Sequence, residues 1–122
     1  MRAKMLETIL SDLNGTSADI EASAVISTDG LVMAAKLPSG MDEDRVGAMS
    51  AAMLSLGDRT GRELGRGATL EQVLIKGEKG FVLMTHGGPN AVLTVLAKPQ
   101  AKLGLILLDV NRAAGSLTNV LN

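Results

Sequence analysis

Five short stretches of this 122-residue chain carry the residue types from which chemistry is usually built. His86-Gly87-Gly88 has the composition of an oxyanion-hole loop, but no Gly-x-Ser-x-Gly nucleophile elbow accompanies it. His86 is the sole histidine and cysteine is absent, so a two-histidine or thiolate metal site cannot form within one chain. Gly77-Glu78-Lys79-Gly80 lacks the Gly-x-x-x-x-Gly-Lys-Ser/Thr spacing that brings backbone amides and a lysine to phosphates, and reads as a hairpin turn. Asp42, Glu43 and Asp44 are adjacent acids at a helix start, where the macrodipole favours negative charge, and do not converge on a cation. Arg59, Arg62 and Arg66 sit near the end of that helix. An arginine reaching into a partner's nucleotide site stabilises phosphoryl transfer, but a solvated helix end explains these three equally simply. Asn14-Gly15-Thr16 fits a glycosylation acceptor pattern without a secretory signal to use it. The chain thus reads as a non-enzyme with no bound cofactor.

Composition narrows the alternatives. With 12 basic and 13 acidic residues spread along the chain, no basic face points to nucleic acid, and Phe81, the sole aromatic residue, offers no stacking platform. The same lack of aromatics disfavours a sugar or purine site and a small-molecule sensor. At 46% apolar residues the chain is not disordered, yet no apolar run approaches the ~18 residues that span a bilayer. The N-terminus, with Glu7 and no continuous apolar block, is unlike a signal peptide, so membrane insertion is not expected and the cytoplasm is the expected location.

The elements follow from periodicity. Leu6, Ile9, Leu10 and Leu13 define an amphipathic helix, which Asn14-Gly15 is expected to end with a left-handed cap. Ala22 to Thr28 and Leu31 to Lys36 read as strands joined through Asp29-Gly30, a turn that needs positive φ. A long helix from Asp42 to Gly65 follows. Strands at Leu70 to Lys76, Phe81 to His86 and Ala91 to Ala97 come next, with short turns that imply antiparallel pairing. A third helix, Ala101 to Leu121, gathers Leu103, Ile106, Leu107, Val110, Ala114, Leu117 and Leu121 on one face. The order α-β-β-α-β-β-β-α predicts a single α+β domain over residues 1–122, with a five-stranded antiparallel sheet.

The central helix has more apolar circumference than one domain needs. At about 100° per residue, Val46, Met49, Ala52, Met53, Leu56, Thr60 and Leu64 form one wide face. Gly47, Ser50, Leu54, Gly57 and Gly61 form a second stripe of mostly small residues. Interior glycines cost about 1 kcal/mol each relative to alanine, which close approach of another helix would offset. A dimer is the expected reason for two such faces.

Three stretches in this order resemble the Roadblock/LC7 family over essentially the whole chain. They are Thr28-Asp29-Gly30-Leu31-Val32-Met33-Ala34, then Glu63-Leu64-Gly65-Arg66-Gly67 running into Leu70-Glu71-Gln72-Val73-Leu74-Ile75-Lys76-Gly77-Glu78-Lys79-Gly80, and Ala101-Lys102-Leu103-Gly104-Leu105. The resemblance implies a profilin-like fold, with the long central helix on one face of the sheet and the terminal helices on the other. It also implies homodimers, or heterodimers with a paralogue, whose third strands pair edge to edge while the central helices pack side by side. It implies a regulator or platform for a Ras-like small GTPase, with a nucleotide-indifferent structural adaptor as the alternative; in a chain this short, the regulatory extension of some relatives is not expected.

Carried onto this chain, the resemblance puts Val73 and Ile75 on the pairing strand and Gly47, Ser50, Leu54, Gly57 and Gly61 on the helix seam, leaving the wide face to the sheet. Glu43, Arg45, Asp58, Arg59 and Arg62 are the expected GTPase-facing residues.

Overall fold

A computed structural model of the chain describes residues 2–122. The elements are α1 (Arg2–Thr16), β1 (Ile20–Ser27), β2 (Val32–Lys36), α2 (Glu43–Glu63), β3 (Val73–Gly77), β4 (Gly80–His86), β5 (Ala91–Ala97) and α3 (Leu103–Leu121). The strands form one antiparallel sheet in the order β2-β1-β5-β4-β3, so the first and third strands of the chain's second half flank β4, and β2 and β3 are the two edges.

The two faces of this sheet carry different cores. Leu6, Leu10 and Leu13 of α1 and Ile106, Val110, Ala113 and Leu117 of α3 close over Val25, Leu83, Leu93 and Val95 in one large buried cluster. The opposite face has only α2, and its cluster is Ala24, Ile26, Leu54, Met84 and Val92. The alternation of strand side chains between faces is what divides β1 and β5 between these two cores.

Helix ends follow local chemistry. Asp42 caps α2 by accepting the backbone N–H of Asp44 and of Arg45. At the other end Gly65 takes φ +72°, its N–H bonds to Arg62 O, and the Arg66 N–H bonds to Gly61 O. That pair of bonds is a Schellman motif, and it needs the left-handed glycine. Gly15, in contrast, stays helical and α1 runs on to Thr16, whose hydroxyl donates to Leu13 O. The expected left-handed cap at Gly15 is therefore corrected: a side-chain hydroxyl satisfies the helix end instead.

Two strand boundaries also move. β1 begins at Ile20, where its pairing with Ala97 of β5 starts before an irregularity at Ala22. β3 begins at Val73 rather than Leu70, because the Thr85 hydroxyl takes the carbonyl of Glu71 and Leu70 turns under α2.

Candidate functional site

Helix α2 is seated on its sheet through its small residues. A Cβ at Gly47 would lie 2.5 Å from the carbonyl oxygen of Gly30 and 3.1 Å from Val32 Cγ2. Gly30 itself adopts φ +91° in the β1–β2 turn, so two glycines permit this approach. One turn on, the buried Thr94 hydroxyl of β5 donates to Ser50 Oγ at 2.7 Å. Leu54 is 2% exposed and is the one large side chain of α2 in the core. A Cβ at Gly57 would meet Val73 Cγ2 at 2.7 Å and Leu70 Cδ2 at 3.2 Å.

This arrangement corrects the expected helix seam. Gly47, Ser50, Leu54 and Gly57 pack on the chain's own sheet, so they are not the surface offered to a twin helix. A Cβ at Gly61 would meet nothing within 4 Å in the chain itself, so this position is open. The physical reason is volume. The sheet face beneath α2 already carries Ile26, Met84 and Val92, and a close helix can only lay small residues against them.

The wide face points the other way. Met49 is 60% exposed, Met53 37%, Leu56 57% and Leu64 67%, forming a ridge along the outer flank of α2. Beside the ridge lies an open cleft of about 500 Å³, floored by Val82, Met84, Thr94 and Leu96 and walled by Met41, Val46 and Met49. The cleft leads toward β3, whose Leu74 and Ile75 are 40% and 37% exposed. Val73 points at Gly57, so alternation puts Ile75 on the same face as α2. Among the described residues β3 pairs only with β4, which leaves its outer backbone groups free. Met49 of the ridge walls the cleft and Val82 on its floor pairs with Ile75 of β3, so ridge, cleft and edge adjoin.

The expected GTPase-facing residues are dispersed. Glu43 and Arg45 are exposed in the first turns of α2, Arg45 at the lip of the cleft. Arg59 and Arg62 are exposed near its end, with Arg59 ion-paired to Glu63 at 3.4 Å. Arg66 turns back, its Nε–H donating to Leu64 O. Asp58 is not outward-facing. Both its carboxylate oxygens lie 3.1 Å from Nε2 of His86, and a carboxylate only accepts, so this imidazole nitrogen donates. The side chains of His86 and Asp58 are 33% and 25% exposed.

The Asp58–His86 pair escaped sequence reasoning, which gave His86 no partner. A signal was available: Asp58 follows Leu54 by four residues and so shares its inward stripe, where a carboxylate needs a partner. No group of three histidine or acidic side chains is placed to hold a metal among the described residues, and no described helix is long and apolar enough to cross a membrane.

Comparison with known proteins agrees with this geometry. The model of the Roadblock/LC7 domain matches residues 5–97. A protein of Methanocaldococcus jannaschii is 42% identical over 113 residues, covering 93% of this chain and 96% of its own length. Among solved structures, a Roadblock/LC7 domain from Streptomyces avermitilis superposes with a TM-score of 0.87 at 22% identity, covering 94% of this chain and 96% of that one. Myxococcus xanthus MglB superposes at 0.88 with 17% identity, covering 98% and 89%. A Schizosaccharomyces pombe profilin reaches 0.65 at 15% identity, covering 93% and 97%, in keeping with the profilin-like fold.

Proposed function

Since the chain belongs to the Roadblock/LC7 family, a family of GTPase regulators and adaptors, we propose that it works as a homodimer that binds a Ras-like small GTPase and modulates its GTP/GDP cycle. The observation that carries this reading is the apolar ridge of α2 lying exposed beside an unfilled cleft and a free strand edge. Contiguous exposed apolar surface of this kind marks a protein-interaction site. In a dimer, β3 of one copy pairs with β3 of the other, and Met49, Met53 and Leu56 of each copy enter the other's cleft. MglB has been crystallised in a tetrameric arrangement, so self-association on this fold has a precedent.

With the ridges buried, the charged flanks of the paired helices remain outside. Glu43, Arg45, Arg59 and Arg62 are the contacts for the GTPase, and Asp58, held by His86, leaves that set. The protein acts by binding rather than by supplying a catalytic residue. Any acceleration of hydrolysis comes from ordering the GTPase's own switch loops.

The test is capture of GTPases from the native lysate on immobilised protein, loaded separately with GDP and a non-hydrolysable GTP analogue. A GTPase retained in one nucleotide state supports regulation. Partners held equally in both states favour the adaptor reading, and no GTPase in either state overturns the regulator.

A further inference from the structure

The half of α2 beyond Leu54 runs from Ser55 to Glu63 without one fully buried side chain. Two contacts hold it to the sheet. Gly57 against Val73 and Leu70 is an apolar close approach that sets how near the helix lies but makes no polar bond. The other contact is directional: Nε2 of His86, the last residue of β4, lies 3.1 Å from each carboxylate oxygen of Asp58. One N–H shared between two carboxylate oxygens is a charge-assisted bond, stronger than a neutral one, and it ties Asp58 to the end of β4. The ridge residues Met53 and Leu56 lie within a turn and a half of Asp58, on the opposite flank. A roll of the helix that broke the Asp58–His86 contact would change the bearing of Met53 and Leu56 relative to the sheet.

We propose that Asp58 and His86 form a positioning pair that sets the rotational seat of the C-terminal half of α2, and through it the mating geometry of the ridge by which two copies associate. The proposal rests on the ridge being the self-association surface. Asp58 and His86 touch no partner themselves; they act through Met53 and Leu56. The pair joins residues 28 apart in sequence and is the one directional polar link from this half of the helix to the sheet among the described residues.

Sedimentation equilibrium of the whole chain tests it, using Asp58→Ala, His86→Ala, Asp58→Asn and the control Leu56→Asp. Hydrogen exchange is read in parallel along α2 and the central strands. The alanine variants are expected to weaken self-association about tenfold, in the range of coupling between contacting residues. Exchange should quicken in residues 55–63 while β1 and β5 stay protected. Asp58→Asn keeps an acceptor for Nε2–H and should recover most of the affinity. Unchanged dissociation constants in both alanine variants, with Leu56→Asp still disruptive, overturn the positioning role and leave the ridge reading intact. Exchange that rises equally throughout the domain also overturns it, since that marks general loss of fold. A monomeric wild type, or a Leu56→Asp variant that associates normally, overturns the ridge reading and this proposal with it.

Discussion

The two faces of one sheet are built by opposite rules. On the α1–α3 side, two helices interlock large leucines, isoleucines and valines, and fourteen buried residues make one continuous core. On the α2 side a single helix lies down on glycine and serine, five buried residues form the core, and the large side chains point outward. The core of the first face is closed within the chain, while Met5, Leu105 and Leu108 lie exposed on its outer side. The second has a floor and one wall, and its geometry asks for another molecule. The larger buried core thus lies on one side of the sheet, and the surface proposed for recognition on the other.

Mutations can break this division, and the largest effect is expected on the closed face. Leu10→Ala removes a fully buried side chain from between α1 and the sheet and should cost about 2–5 kcal/mol in urea unfolding, with no specific effect on partner binding. Gly47→Val drives a side chain into the Gly30 carbonyl and should cost about 1–3 kcal/mol, while lifting the first half of α2 and loosening self-association. A variant at full stability would refute the close seating of the helix.

Smaller effects sharpen the contrast. Thr94→Val deletes the hydroxyl that donates to buried Ser50 and should cost about 1 kcal/mol by thermal unfolding. Gly61→Ala should go the other way, stabilising by up to about 1 kcal/mol, because the position is open and alanine is the better helix former. Leu56→Asp should change unfolding by no more than about 0.5 kcal/mol if the protein is kept dilute and monomeric. Yet the same change should abolish association in light scattering, which separates recognition from stability at one residue.

Much of this was legible before any coordinates. The periods of Leu6, Leu10 and Leu13 and of Ile106, Val110 and Leu117 named the inward faces of α1 and α3, because there the recurring large apolar positions are the buried ones. Asp29-Gly30 placed the first hairpin through its demand for positive φ, and Gly65 placed the end of α2. The seating of α2 was not legible. Both of its stripes are compatible with burial, and the resemblance gave the wide stripe to the sheet where the fold lays the small one. The edge strand came from the resemblance, which put Val73 and Ile75 on the strand that pairs edge to edge; its local pattern is that of an ordinary strand, and the sheet order places it at the edge.

By itself, then, the sequence determined the elements, their order, the closed core and the absence of a recognisable catalytic motif. Local periodicity, turn chemistry and residue type carry that information. Only tertiary structure decided which side of α2 is inside, that Asp58 turns from solvent to His86, and that a cleft stays open beside Met49. Those outcomes depend on the space left between helix and sheet after Ile26, Met84 and Val92 have filled their share. Such a volume is a property of residues far apart in the chain, and no window of sequence contains it.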